Sequence, residues 1–210
     1  MHRPSVVGLM LIASLVLSAC NNDSAPMPKG QPMKQQRQSY EESIRRLREL
    51  GLVGRDENPG IPDHTPQPED DNPLGLSFFR TVISDEAAFS NLSIPRTFFG
   101  RSEIKRASFQ NCDLTESNLR WNDFVEVDFT GASLARADLR ASIYTRVKFI
   151  RTDLRGADLR RSDFDSCRFD DALMDGAVIT RKQGTRLNLS GAQKSVVDWR
   201  AEDGPEPSGG

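Results

Sequence analysis

The 210-residue sequence predicts an all-β solenoid. Three observations predict it: a large apolar residue at every fifth position, a small residue two places before most of them, and matching residue types twenty positions apart. The large residues are Phe89, Ile94, Phe99, Ile104, Phe109, Leu114, Leu119, Phe124, Phe129, Leu134, Leu139, Tyr144, Phe149, Leu154, Leu159, Phe164, Phe169, Met174 and Ile179, nineteen in phase. The small ones include Ala107, Cys112, Ser117, Ala137, Ala157 and Cys167. A period of five belongs neither to a helix, at 3.6, nor to a strand, at 2. It fits a coil that turns through a right angle every five residues, burying one large and one small side chain per side.

Positions twenty apart then stack. Phe89, Phe109, Phe129, Phe149 and Phe169 make a column of Phe alone. A second column runs Ile94, Leu114, Leu134, Leu154, Met174, and a third runs Phe99, Leu119, Leu139, Leu159, Ile179. The fourth is Ile104, Phe124, Tyr144, Phe164. Like rings pack on like rings, so such columns suit a four-sided interior. At a rise of about 4.8 Å per coil the rod is roughly 20–25 Å long.

The units Ala137-Asp138-Leu139-Arg140-Ala141 and Ala157-Asp158-Leu159-Arg160-Arg161 resemble the pentapeptide-repeat family, whose pattern is A-(D/N)-L-x-x. That resemblance implies a right-handed quadrilateral parallel β-helix of about five coils, with its core over 87–181 inside a capped domain at 74–199. The pattern lapses over 182–186, where Gly184 takes a large-residue place, and resumes at Leu187-Asn188-Leu189-Ser190-Gly191; the lapse reads as a loop or bulge. Val196, Val197 and Trp199 are expected to cap one end, and Leu74 to Ile83 to plug the other. In the family the C-terminal end also serves as a dimer interface, so a dimer stays open.

The N-terminus has a different purpose. His2 and Arg3 precede an apolar run from Val6 to Leu17, too short to span a bilayer and the right length for a signal-peptide core. It ends in Leu17-Ser18-Ala19-Cys20, which resembles the bacterial lipobox. The resemblance implies removal of 1–19, acylation of Cys20 and anchoring in a membrane. Asn21 follows, not the Asp of inner-membrane retention signals, so an exported protein on the outer membrane facing the periplasm is expected. Residues 20–38 read as a flexible tether. Ser39-Tyr40-Glu41-Glu42 has capping-box spacing, and Tyr40, Ile44 and Leu47 follow at helical spacing, giving one short amphipathic helix over 39–51. Pro59, Pro62, Pro66, Pro68 and Pro73 make 52–73 an extended linker, and 200–210 reads as a disordered tail.

The residue inventory points to binding, not catalysis. Cys112 and Cys167 fall at inward small positions nearly three coils apart, about 14 Å. A disulfide needs Cα atoms within roughly 7 Å, so both are expected as buried free thiols. His64 stands alone in the linker, and no nucleophile–base pair, metal cluster or phosphate loop is visible, so neither enzyme activity nor a cofactor is expected. Arg120, Arg140 and Arg160 fall twenty apart, with Asn118, Asp138 and Asp158 beside them. They form either a basic stripe for an acidic partner or a ladder neutralised by its Asp neighbours; in either case Arg140→Ala is expected to cost under about 1 kcal/mol. Trp121, with Arg101, Ala141 and Arg161 in its column, is a candidate hot spot. Net charge is -2, so no single-sign field argues for nucleic acid. The expectation is a periplasm-facing lipoprotein that binds a protein, most concretely an immunity or inhibitor protein against an envelope-acting toxin such as a secreted lipase. The alternatives are an envelope scaffold and, more remotely, the DNA mimicry by which some family members protect topoisomerases.

Overall fold

The computed structural model describes residues 37–67, 75–84 and 89–202. The expected signal peptide, Cys20, most of the expected tether, Pro68, Pro73 and nearly all of the expected C-terminal tail lie outside the described residues.

The five-residue rhythm becomes geometry at the corners. From Asn91 to Gly176 every fifth residue stands in the left-handed region, with φ between 52° and 71°. Each such residue turns the chain into the next side and projects its own side chain outward. Where Gly131 and Gly156 take a corner, the conformation costs nothing sterically; elsewhere Arg, Asn, Glu, Ala, Ser, Asp and one Trp adopt it.

Parallel pairing closes the solenoid. On one side, β1 (Val82–Ile83), β2 (Glu103–Lys105), β3 (Asp123–Val125), β4 (Ile143–Thr145) and β5 (Asp163–Asp165) form a five-stranded sheet in chain order. Its register, Ile104↔Phe124 and Phe124↔Tyr144, advances by twenty residues per step. The other sides pair through single bridges at the same interval, such as Asp128↔Lys148, Ser133↔Asp153 and Asp138↔Asp158. All four columns stack inside. In the Phe column successive ring centroids are 4.6, 5.1, 5.5 and 4.9 Å apart, nearly parallel. Phe124, Tyr144 and Phe164 repeat the arrangement at 5.0 and 4.9 Å.

Small polar side chains complete the interior. Ser102, Asn122, Ser142 and Ser162 occupy one inner corner, where each side chain accepts an N–H from the coil before and donates to a carbonyl there. Both cysteines follow the same pattern. Cys112 donates its S–H to Phe89 O and Cys167 to Tyr144 O at 3.3 Å, matching Ser142 on Leu119 O. Neither is in a disulfide. Cys112 is buried as expected, whereas Cys167 is only half-buried. Burial pushes the thiols up to about 12 and about 11. Folding therefore keeps both protonated, a contribution fully present below the ordinary thiol value of 9.0 and lost as pH rises through the folded values. In a thiol-reagent assay at pH 8, Cys112 should react only on unfolding and Cys167 slowly in the native protein. Fast native labelling of Cys112 would contradict this placement.

The ends differ from the sequence reading. Leu76, Phe78 and Ile83 are buried, but they extend the ladder instead of plugging it: Ile83 pairs with Ile104, one residue out of phase, and Phe78 stacks on Phe99 at 4.8 Å. A helix, α1 (Tyr40–Glu49), covers this end. The Ser39–Glu42 capping box starts it, Ile44 and Leu47 enter the core, and the Ser93 N–H donates to Ser43 Oγ at 2.8 Å. The helix docks on its own rod. The Pro-rich segment then runs along the surface, where Arg96 donates to Pro62 O and Asn118 to Pro66 O, both at 2.8 Å.

At the other end β6 (Val178–Ile179) pairs with β7 (Asp198–Trp199), so the ladder continues to Trp199. Between them stand α2 (Arg181–Arg186) and α3 (Gly191–Val196), where the sequence suggested a loop and where only one helix was expected in the whole chain. The reason is two further capping boxes, Thr180 with Gln183 and Ser190 with Gln193. Each glutamine also closes the ladder. Gln183 Nε2 donates to Leu159 O and Ser162 O at 2.7 and 2.9 Å, and Gln193 Nε2 to Phe169 O and Ala172 O at 2.8 and 3.1 Å. The side-chain amide thus supplies an N–H that a further strand would have supplied from its backbone. The Trp199 ring lies against Gly184, where a Cβ would collide with it, and Val197 is buried. The Val196 side chain is exposed, and the residue contributes its carbonyl, which accepts the Gly176 N–H at 2.8 Å.

Candidate partner-binding surface

The Arg120, Arg140 and Arg160 column exists, but it is not an exposed stripe. Arg160 is 1% exposed and Arg140 9%. Asp158 accepts the Arg160 backbone N–H at 3.1 Å and its guanidinium at 2.6 Å; Asp138 does the same for Arg140. The ladder also links rung to rung, Arg140 to Asp158 at 3.7 Å and Arg120 to Asp138 at 3.8 Å. The repeat's own Asp position holds each guanidinium in place. Its carboxylate closes a turn onto the N–H two residues later, which brings the Arg side chain back over it. Of the two readings of this column, the geometry gives the neutralised ladder.

What remains outside is the corner between that ladder and the β1–β5 sheet. Its column is Arg80, Arg101, Trp121, Ala141 and Arg161. Trp121, 37% exposed, has the Arg120 guanidinium 4.3 Å and that of Arg101 5.6 Å from its ring centre. Arg80 lies 5.1 Å over Phe79, which stacks on Phe98 at 5.8 Å. Arg161 is exposed on the same corner. Seven large apolar side chains are exposed among the described residues, and four of them, Phe79, Val82, Trp121 and Ile143, belong to this corner or the sheet it borders. Scattered singly they would need no explanation; gathered along one edge with arginines they have the composition of a protein-binding hot spot. At its C-terminal end the sheet runs into a groove of about 170 Å³ between β5 and α2, lined in part by Asp163, Phe164, Arg186 and Leu187. Among the described residues no group of His, Cys, Asp and Glu is placed to hold a metal.

The family model for pentapeptide repeats matches residues 85–120 and 145–181 in eight copies. Two stretches of the rod match that model, with 121–144 unmatched between them. No curated protein matches the chain. Among solved structures it is similar to HetL, a pentapeptide repeat protein involved in heterocyst differentiation regulation in the cyanobacterium Nostoc sp. strain PCC 7120. That match has 17% identity over 49% of this chain and 48% of HetL, with a TM-score of 0.46, so the chain spans about half the length of HetL. A pentapeptide repeat protein of the Arabidopsis thaliana thylakoid lumen is 21% identical over 57% of this chain and 69% of its own, with a TM-score of 0.24. QnrB1, a plasmid-mediated fluoroquinolone resistance protein, is 17% identical over 59% and 80%, with a TM-score of 0.25.

The charged groups of the rod set its acid stability. Burial pulls the Asp153 carboxyl upward, and the hydrogen bonds and charge of Arg155 outweigh it, so its pKa lies below the ordinary value. Glu116 behaves alike. Desolvation raises it, and bonds from Arg136 and Arg96 bring it lower still. Asp128 is lowered against its burial by Thr130, Gln110 and Lys148. With all three depressed, their stabilisation is present above the ordinary values of 3.8 and 4.5 and disappears as pH falls through the folded ones. The urea midpoint should hold between pH 7 and 5 and drop below about pH 4. A midpoint that rises on acidification would reverse the sign of this account.

Trp121 and Arg161 were legible from their column; Phe79, Val82 and Ile143 were not. Phe79 and Val82 precede the first in-phase repeat and sit one residue out of register. Ile143 occupies a column otherwise acidic downstream of Val82, so a tally of charge by face was the signal that could have found it.

Proposed function

We propose that this protein is a non-enzymatic, lipid-anchored binding protein that uses the pentapeptide-repeat rod to occlude another protein, most concretely an envelope-acting toxin such as a secreted lipase. The observation that carries the reading is the edge formed by Phe79, Arg80, Arg101, Trp121 and Arg161, where aromatic rings and guanidinium groups lie together on a rigid support. Such an edge fits a partner at little conformational cost, because corner positions repeat at a fixed spacing and the ring of Trp121 already has two guanidinium groups against it. The Leu17-Ser18-Ala19-Cys20 motif supports an anchored position where envelope toxins arrive.

The test has two arms. Cys20→Ser should abolish fatty-acid labelling and release the protein from the membrane fraction. In co-culture with cells delivering the toxin encoded beside this gene, the wild-type protein should protect, and Trp121→Ala with Phe79→Ala should lose protection at unchanged expression. Full protection by the double variant would remove this edge from the reading. A neighbouring locus of envelope-assembly genes, with no toxin, would favour the scaffold.

A further inference from the structure

The outward face of the β1–β5 sheet is a second surface, distinct from the Trp121 corner. One row of side chains runs Val82, Glu103, Asp123, Ile143, Asp163, and the next runs Lys105, Val125, Thr145, Asp165. Rungs lie about 4.8 Å apart, so Ile143 stands directly between Asp123 and Asp163. Ile143 is 50% exposed and Val82 69%.

The charges here are handled differently from those of the repeat ladders. Asp128 pairs with Lys148, Asp153 with Arg155, and Asp138 and Asp158 with the arginine column. Among the described residues, only Glu103 on the sheet has a close cation, Lys105. Asp123 has no ion-pair partner among the described residues, Asp165 meets the hydroxyl of Ser166, and Asp163 has Arg186 at 3.9 Å with both side chains mostly exposed. The face therefore carries a net negative charge around an apolar centre. An exposed isoleucine ringed by unneutralised carboxylates is poorly used in water; against a cationic surface the carboxylates gain partners and the isoleucine loses solvent.

We propose that this sheet face docks a protein presenting a strip of Lys or Arg around an apolar contact, with Ile143 as the anchor. The inference rests on the protein-binding reading and names the chemistry of the partner. A cationic strip would meet Asp123, Asp163 and Asp165, while the neighbouring Trp121 corner takes the partner's acidic or aromatic edge. Association should weaken with salt, because the carboxylates are exposed and act over a Debye length.

The experiment places the photo-crosslinking residue p-benzoylphenylalanine at Ile143, at Trp121 or at Ala135, on the opposite side of the rod, in the full chain in the cells that make it. Ile143 should link to one protein, with Lys or Arg flanking the linked site. The yield should fall about tenfold in the Asp123→Lys/Asp163→Lys variant and on raising salt from about 50 to 500 mM, while Ala135 gives no comparable product. Both substituted positions face solvent, and an unchanged thermal midpoint would show that the variant folds. A linked peptide without basic residues, an undiminished yield in the charge-reversed variant, or silence at Ile143 overturns the proposal. Linking at Trp121 with silence at Ile143 leaves the binding role standing and rejects only the sheet face; silence at both rejects both.

Discussion

Phe129→Ala is expected to cost about 3–5 kcal/mol of unfolding free energy, the full range for truncating a buried aromatic residue. Phe129 is wholly buried in the middle of the Phe column. Its ring lies 5.1 Å from Phe109 on one side and 5.5 Å from Phe149 on the other, and meets Phe124 edge-on at 5.8 Å. Removing it deletes one ring and leaves Phe109 and Phe149 each stacked on one side only, against Phe89 and Phe169. The backbone at this position cannot collapse into the void, because Phe129 N–H bonds Lys148 O and neighbouring coils hold its rung at fixed height. In a solenoid each unit is stable only against its neighbours, so a gap in the middle weakens both halves. Phe129→Leu fills most of the volume and should cost about 1–2 kcal/mol. Denaturant unfolding of the two variants measures the difference. Equal small losses would mean that the column does not bear the rod's stability.

The reason this core could be read from sequence is that it is local and periodic. A residue's column follows from its number modulo twenty, and every in-phase position from Phe89 to Ile179 points inward. The two ends broke the periodicity for different physical reasons. At the start, one extra residue between Ile83 and Phe89 shifts Phe78 and Ile83 out of phase while leaving them stacked on Phe99 and paired with Ile104. At the finish, the capping signals of Thr180–Gln183 and Ser190–Gln193 outweigh the repeat and wind helices into coil positions. The surface was legible only in part. A period tells which side chains point out, but not whether a neighbour covers them; Arg160 and Arg161 are adjacent in sequence, one sealed over Asp158 and the other exposed at the corner.

That contrast yields the second large effect. Arg160→Ala is expected to cost about 3–5 kcal/mol, the range for removing one partner of a buried ion pair. The expectation of under about 1 kcal/mol attached to an exposed arginine of this column does not apply, because Asp158 and Arg160 side chains are 5% and 2% exposed. Without the guanidinium, the Asp158 carboxylate keeps the Arg160 backbone N–H but has lost its closest charge. Arg155 is the internal control. It makes the same turn and the same bidentate contact with Asp153, at 2.9 and 2.6 Å, but its side chain is 51% exposed. Arg155→Ala should therefore cost only about 1 kcal/mol, since water replaces what is removed. If the cost at 160 comes from the stranded charge and not from lost packing, Arg160→Met combined with Asp158→Asn should recover most of it: the amide oxygen still accepts the turn N–H, and no charge is left buried. A double variant as unstable as Arg160→Ala alone would instead assign the loss to the shape of the guanidinium, packed over the third column of the rod.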